Sequence, residues 1–213
     1  MLKARIKTSL TGTREFDINE EWMMYDGHQM RCSSITGFAY GNTFVDQRFT
    51  KIITHNFKIE DATGKRIEIA FNDVLNSNSQ ETADMMIDAM WKCFGNRIIQ
   101  DTIAALSKGG EVLMGGVRFT KAGFSHTYKP WFRKEKTITL SWEDMTYERM
   151  KHFDLVEIKS QSTGKTLSVL GLVGMINAHV LVAILAHKKR DPELLNYLTA
   201  KKVYLQPPAS PAH

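Results

Sequence analysis

Alternating apolar and polar residues run through the first third of the chain and predict antiparallel β-strands. The clearest signal is Asp26-Gly27, because a tight hairpin turn needs positive φ at both central residues and this pair adopts it readily. Gly41–Thr50 is less regular and is expected to be a looser connection. The predicted strands are Ala4–Leu10, Arg14–Ile18, Glu21–Tyr25, His28–Ile35, Lys51–Glu60 and Arg66–Asn72.

The apolar spacing changes to that of a helix between Gln80 and Ser107, where apolar residues recur every third or fourth position. This is the longest predicted helix, and a bend is expected near Gly95. Signals for both ends lie close by, namely a capping box at the start and paired glycines at the end (Asn78 with Glu81 or Ser77 with Gln80; Gly109-Gly110).

Past the paired glycines the alternation of strands returns. The apolar run Leu172–His187 then predicts a second helix, and Asp191-Pro192 caps a short third helix over Glu193–Ala200. The chain is expected to finish in a disordered tail. The predicted strands of this half are Val117–Thr120, Gly123–Lys129, Lys134–Trp142, Asp154–Lys159 and Thr166–Leu170.

The two halves therefore show the same order of elements: antiparallel strands, a hairpin with a Thr-Gly-Lys turn, a last strand and a helix. The hairpins FKIEDATGKRIEIAF and VEIKSQSTGKTLSVL align, which places Gly64 opposite Gly164, and upstream Ile35 falls opposite Trp142. The turns lack the GxxxxGK[ST] pattern of a phosphate loop, so both lysines are interpreted as turn residues. Internal self-similarity of this kind indicates a repeated architecture.

The segment GVRFTKAGFSHTYKPWFRKEKTITLSWEDM resembles the bacterial pleckstrin-homology-like (PH-like) domains. The resemblance covers Glu111–Lys189 directly and Leu2–Ser107 through the repeat. It implies an α+β, mostly β fold of two PH-like modules, each a twisted antiparallel sheet or half-open barrel followed by a C-terminal helix. The expected boundaries are 1–109 and 110–190 for the modules, 191–204 for a short helix and 205–213 for the tail. The resemblance also implies a recognition scaffold rather than an enzyme.

The net charge of +5 and the pI of about 9.1 favour an acidic partner or an anionic membrane surface. The two cysteines, Cys32 and Cys93, form no metal-binding pattern, and two reduced, buried thiols are preferred over a disulfide. Because there is no signal-peptide pattern and the run Leu172–Ala186 is too short to span a bilayer, a soluble, cytoplasmic protein is expected.

The strongest candidate binding site is the predicted hairpin tip that follows Tyr128, where aromatic rings adjoin a proline and several cations. In PH domains the equivalent first hairpin loop binds lipid phosphates. Three uses are open: a protein interface, with Trp and Arg as anchors; an anionic membrane; or rings folded back onto the protein with solvated lysines. The candidate partner- or lipid-binding residues are Lys129, Trp131, Phe132, Arg133, Lys134 and Lys136.

The helix Leu172–Ala186 is apolar on almost every side and should be covered on more than one. Intramolecular packing is the favoured use, and homodimerisation through this helix is the open alternative.

Motifs for catalysis and metal binding are missing from the sequence: the histidines are scattered, and no HExxH, GxSxG or GxGxxG pattern occurs. No catalytic, cofactor-binding or metal-binding residue is therefore predicted, and Glu143-Asp144 is expected to face water. Nucleic-acid binding is not favoured, because no recognised motif accompanies the interleaved basic and aromatic residues Arg118, Lys121, Tyr128, Lys129 and Arg133.

The sequence thus predicts a bacterial, non-enzymatic binding or adaptor protein with tandem PH-like modules and no cofactor. A protein partner is the leading expectation, with an immunity or inhibitor protein as one concrete form. Peripheral membrane binding is the second hypothesis and an unrecognised enzyme the third. Binding is expected where the two copies differ, since only the second carries a basic-aromatic tip.

Overall fold

A computed structural model describes residues 1–8, 12–47, 50–75, 78–128, 136–150 and 154–190. The chain divides into two compact units, Met1–Ile98 and a second that begins at Ile99. The described residues are mostly β, with four open antiparallel sheets, helices and no closed barrel among them. This confirms the predicted α+β, mostly β class.

The first unit opens with a four-stranded meander of β1 (Leu2–Lys7), β2 (Thr13–Ile18), β3 (Trp22–Tyr25) and β4 (His28–Arg31). Asp26 and Gly27 connect the last two strands with φ of 50° and 77°, which confirms the predicted hairpin turn. Apolar side chains from alternate positions of these strands are buried, among them Ile6, Phe16, Ile18, Met23 and Met30.

A 3₁₀ turn at Cys32–Ser34 leads into a three-stranded meander of β5 (Ile35–Gln47), β6 (Thr50–Asp61) and β7 (Arg66–Asn72). The expectation of a looser connection from Gly41 onward is wrong as far as Gln47. Twelve register pairs with β6 carry the strand through Gly41 and Asn42, two residue types that intrinsically disfavour strands.

The long helix of the first half consists of α1 (Ser79–Met90), a π-helical segment (Trp91–Gly95) and α2 (Asn96–Ser107). The bend expected near Gly95 stays a prediction; what the structure has there is this π segment. The predicted capping box built on Asn78 is wrong, because Asn78 precedes the helix but its side chain makes no capping hydrogen bond. Ser77, the other candidate, lies outside the described residues.

The predicted glycine stop is confirmed. Gly109 has φ of 81°, its N–H donates to Leu106 O at 3.0 Å, and the N–H of Gly110 donates to Ala105 O at 2.9 Å. These two bonds form a Schellman motif, in which a left-handed glycine lets the last carbonyls of a helix find donors.

The second unit contains a meander of β8 (Val112–Met114), β9 (Val117–Thr120), β10 (Gly123–Tyr128) and β11 (Lys136–Ser141). A three-stranded meander follows, formed by β12 (Met145–Met150), β13 (Leu155–Ser160) and β14 (Thr166–Gly171). Neither β8 nor β12 was among the predicted strands.

The helix α3 (Ala178–Arg190) closes the described part of the chain, and its predicted start at Leu172 is wrong. Residues 172–177 form turns, and Asn177 has φ of 62°, a left-handed conformation that a helix cannot include. The short helix predicted at 191–204 and the tail at 205–213 lie outside the described residues. The module boundary predicted at residue 109 stays a prediction.

The order of four-stranded meander, three-stranded meander and helix therefore occurs twice along the chain. Gly64 and Gly164, with φ of 82° and 67°, take the same left-handed position in their hairpins. The alignment of Ile35 with Trp142 is wrong by three positions. The N–H of Ala62 donates to Ser34 O, and that of Gln161 donates to Asp144 O, so that Ile35 corresponds to Met145.

Equivalent positions in the two halves also make equivalent side-chain bonds. The Cys32 thiol donates to Asn19 O at 3.3 Å, and the Trp142 indole donates to Thr120 O at 2.9 Å. Asn19 and Thr120 each begin the four-residue turn between the second and third strands of their meander. Each donor directly follows the fourth strand of its meander. The two halves therefore make the same kind of contact with two different side chains.

Candidate functional site

The basic-aromatic segment predicted as a binding site lies almost wholly outside the described residues. Lys129, Trp131, Phe132, Arg133 and Lys134 fall there, and of Lys136 the structure describes the backbone as the first residue of β11. What the structure does give is the pair of strands that the segment connects, β10 and β11, which are antiparallel partners.

The base of this hairpin is firmly packed. Phe124 and Leu140 face each other across the two strands and are both buried, and the ring of Phe124 lies edge-on to Phe119 at a centroid distance of 5.8 Å. Trp142, which is 2% exposed, also packs against Phe119, at a centroid distance of 5.5 Å. Three buried aromatic rings therefore pack together at the start of this strand pair.

Gly123, the first residue of β10, is fixed by close contact with the facing strand. Its φ is 137°, and a Cβ at this position would lie 2.1 Å from the carbonyl oxygen of Leu140. Only glycine fits between the two backbones here, because any side chain would force the strands apart at the start of their pairing.

The equivalent hairpin of the first half is much shorter. At the open end of the first hairpin, the paired residues Trp22 and Arg31 are nine positions apart in sequence. At the open end of the second, the paired residues Gly123 and Ser141 are eighteen positions apart. The first hairpin closes at once through Asp26-Gly27, and the second carries residues 129–135 between Tyr128 and Lys136. The candidate binding segment is therefore an extension of one copy on a strand pair that both copies share.

A second hairpin also differs in length between the two halves, and here the longer copy is in the first half. Ile35 and Asp61 pair across 26 positions in the β5–β6 hairpin, and Met145 and Ser160 pair across fifteen in β12–β13. The longer β5–β6 hairpin carries Phe44 and Val45, which are 44% and 47% exposed. The second strand of this hairpin was predicted, as Lys51–Glu60, but β5 was not, because its two glycines and its polar residues are typical of a connection.

The predicted apolar helix is covered on every side over its first two turns. All eight residues from Ala178 to Leu185 are buried, and α3 contacts β8 and β12. This confirms the expectation that the helix is covered on more than one side, although it begins six residues later than predicted. Homodimerisation through it stays a prediction.

Lys188, in the last turn of α3, is partly buried, and burial lowers the pKa of its ammonium group. Its Nζ lies 3.5 Å from the carbonyl oxygen of Met145, at the start of β12. A long cationic side chain can cover apolar surface with its stem while its charge reaches a carbonyl, which is the use that this contact indicates.

The adjacent acids Glu143 and Asp144 were both expected to face water, and Glu143 is exposed, whereas Asp144 is partly buried and hydrogen-bonded. Asp144 accepts hydrogen bonds from the hydroxyl of Ser160 and the N–H of Ser162, both at 2.7 Å, and the Ser160 bond foremost lowers the pKa of its carboxyl group. In the first half, the Asp61 carboxylate accepts hydrogen bonds within its own turn, from the N–H and hydroxyl of Thr63 and from the N–H of Lys65. Both carboxylates therefore hold the Thr-Gly-Lys turns in shape.

Two buried polar residues of the first unit, His55 and Asp17, each lie beside a polar or charged partner. His55 is 2% exposed, and its Nδ1 lies 2.8 Å from Asn42 Oδ1. Asp17 is buried beside Lys3, at 3.1 Å. No group of three or more His, Cys, Asp or Glu side chains suitable for a metal ion occurs in the part of the chain that the structure describes.

An open cleft of about 560 Å³ in the first unit was not anticipated from sequence. Arg5 and Glu15, on its wall, form an ion pair at 3.2 Å, so two of its three charged side chains are paired with each other. The cleft is lined by Arg5, Lys7, Thr13, Glu15, Leu75, Asn78 and Thr82.

Of the residues considered for nucleic-acid binding, the structure describes the side chains of two, Arg118 and Lys121. Arg118 forms an ion pair with Glu111 at 3.5 Å, and Lys121 is exposed in the turn between β9 and β10.

Comparisons of the chain with protein-family models, with curated proteins and with solved structures find no match. Among the described residues, no helix is both long enough and apolar enough to cross a bilayer.

Proposed function

We propose that this chain is a non-enzymatic recognition protein built from two PH-like modules. Support comes from the repeated order of a four-stranded meander, a three-stranded meander and a helix. Each helix contacts the first strand of its four-stranded meander and one strand of its three-stranded meander: α1 lies on β1 and β6, and α3 lies on β8 and β12. A helix that contacts both meanders of its own half in this way is what the resemblance to PH-like domains implies.

The proposed binding site is the basic-aromatic segment with its flanking cation, Lys129, Trp131, Phe132, Arg133, Lys134 and Lys136. The observation that carries this proposal is the nine-residue difference between hairpins that the two halves otherwise share. An extension of a surface hairpin adds nothing to a core that the shorter copy already completes, and loops on a rigid frame commonly carry binding residues.

A protein partner is the preferred ligand, as in an immunity or inhibitor protein. Tryptophan and arginine are the residue types that most often anchor protein interfaces, because each buries a large area and offers a directed hydrogen-bond donor. The net charge of +5 favours a partner with an acidic surface.

The register of the two hairpins provides a direct test. Replacing residues 129–135 by Asp-Gly joins Tyr128 to Lys136 in the way that Asp26-Gly27 joins Tyr25 to His28. The full-length and shortened proteins would each be used as bait in cells that naturally produce the chain. We expect a one-to-one complex that survives gel filtration with the full-length protein and is lost with the shortened one.

Two further variants sharpen the comparison. Trp131→Ala with Arg133→Ala should weaken the complex by at least tenfold, whereas Leu113→Ser, at a residue that is 65% exposed elsewhere on the second unit, should leave it unchanged. Equal recovery of the partner by the full-length and shortened baits, both folded by circular dichroism, would refute the proposed site.

The second candidate function is peripheral binding to an anionic membrane through the same segment. Four cations beside Trp131 and Phe132 suit a phosphate-rich interface, with the cations at the phosphates and the rings at the boundary layer. Sedimentation with phosphatidylserine vesicles tests this alternative. Binding that falls steeply with salt and disappears in the shortened protein would support it over a protein partner.

A further inference from the structure

The two cysteines of the chain lie on contacting segments of the first unit, although 61 positions separate them in sequence. Cys32 opens the 3₁₀ turn between the two sheets, and Cys93 lies in the π segment of the helix, which packs against that turn. Arg97, one helical turn after Cys93, donates to Cys32 O at 3.1 Å and also to Ile35 O. Residues four apart share a helix face, so the face that carries Cys93 is held against the turn that carries Cys32.

The two thiols are also close enough to affect each other's ionisation. Their interaction lowers the pKa of Cys93, and together with burial it raises the pKa of Cys32. Cys32 is 1% exposed, whereas Cys93 is half-buried. The pair is therefore asymmetric: Cys93 is the more accessible thiol and has the lowered pKa, whereas Cys32 is buried and has the raised pKa.

We propose that Cys32 and Cys93 form a reversible disulfide, with Cys93 as the thiol that first meets the oxidant. With a small disulfide such as oxidised glutathione, the Cys93 thiolate attacks one sulfur, forms a mixed disulfide and releases one glutathione thiolate. Cys32 then gives up its proton and attacks the Cys93 sulfur, which releases the second glutathione. The two protein thiols are oxidised, and one glutathione disulfide is reduced to two glutathione thiols.

The bond would fasten the link between the two sheets of the first unit to the helix that covers them. In the second half this position is occupied by Trp142, whose indole makes the hydrogen bond that the Cys32 thiol makes in the first half. A thiol is not needed for that contact, and the pairing with Cys93 gives the cysteine at this position a separate role. The proposal does not depend on the binding function proposed above.

Peptide mapping of the full chain, equilibrated in glutathione redox buffers and then alkylated, tests the proposal. Because the chain contains two cysteines, only one intramolecular disulfide can form. We expect a cross-linked pair of peptides, one containing Cys32 and the other Cys93, that dithiothreitol separates. A loop of this length should also raise the melting temperature by roughly 10 °C in the oxidised form.

Single substitutions test the order of events. Cys32→Ser should stop at the mixed disulfide of Cys93 with glutathione, and Cys93→Ser should leave Cys32 unmodified until the protein unfolds. Because Cys32→Ser changes a buried position, limiting iodoacetamide on the wild-type protein is a second measurement, in which Cys93 should be labelled at least tenfold faster than Cys32. A link that forms only in denaturant, or faster labelling of Cys32, would overturn the proposal.

Discussion

The substitution Gly95→Ala separates two opposing effects at the end of the π segment. Glycine inside a helix costs about 1 kcal/mol relative to alanine, so helix propensity alone predicts a more stable protein. The surroundings predict the opposite. A Cβ at position 95 would lie 2.5 Å from Cε3 of Trp91, where two carbon atoms normally keep about 3.5 to 4.0 Å apart.

The indole of Trp91 has little freedom to move away from the added methyl group. It is 1% exposed, its Nε1 donates to Tyr40 Oη at 3.0 Å, and its ring meets Phe38 edge-on at a centroid distance of 5.1 Å. Overpacking at a fixed ring costs about 1–3 kcal/mol. After the gain in helix propensity, we expect the free energy of unfolding of the first unit to fall by about 1 kcal/mol.

Urea unfolding followed by far-ultraviolet circular dichroism measures the change. Hydrogen exchange of peptides from residues 79–107 then assigns it to this helix. Gly174→Ala is the matched control, because nothing lies within 4 Å of its Cβ position, and it should change stability by less than about 0.5 kcal/mol. Adding Trp91→Leu should remove the clash, so that Gly95→Ala becomes stabilising in that background. A stabilised Gly95→Ala single variant would refute the reasoning.

Three shorter predictions follow from the repeated hairpins. Gly64→Ala and Gly164→Ala should each lower the free energy of unfolding by about 1 kcal/mol, since both glycines have positive φ and open space around them; equal stability in denaturant would contradict this. Asp144→Asn should reduce the acid sensitivity of the protein. The lowered pKa of Asp144 contributes stability above its ordinary value of 3.8 that is lost as pH falls through the lowered value, so melting curves from about pH 6 to about pH 2.5 should converge for variant and wild type. Trp142→Phe should cost about 1–3 kcal/mol through the lost indole donor to the β9 carbonyl, measured by urea unfolding, and a neutral effect would show that the bond is dispensable.

The features that sequence predicted well are those that local sterics decide. Asp26-Gly27, Gly64, Gly109 and Gly164 all have positive φ, a conformation that few other residues tolerate, so each turn could be placed to the residue. The helix around Trp91 was equally clear because its apolar face has the period of a helix.

The features that sequence missed depend on tertiary partners. Asn177 ends the turns before α3, but the apolar run on both sides of it gave no periodic signal for a helix start, since every residue of the first two turns is buried. The strand β12 shows no strict alternation of buried and exposed residues, and pairing with β13 determines it. At the candidate site, the chemistry of the segment after Tyr128 was legible from its residue types, whereas its extension beyond a shared hairpin emerged only from strand register.

The two halves reach the same hydrogen-bonded frame with different side chains, and this limits where their functions can differ. Cys32 and Trp142 make equivalent hydrogen bonds in their two halves, and Asp61 and Asp144 stabilise equivalent turns. These residues are accounted for by folding, because each satisfies a backbone group that would otherwise lack a partner. The hairpin extensions are not explained in that way, since the opposite half completes its sheets without them. If binding resided in the shared frame, both halves should bind alike; if it resides in the extensions, each half should have its own ligand. Shortening the β10–β11 and β5–β6 hairpins separately, and testing each protein for loss of a different interaction, distinguishes the two cases.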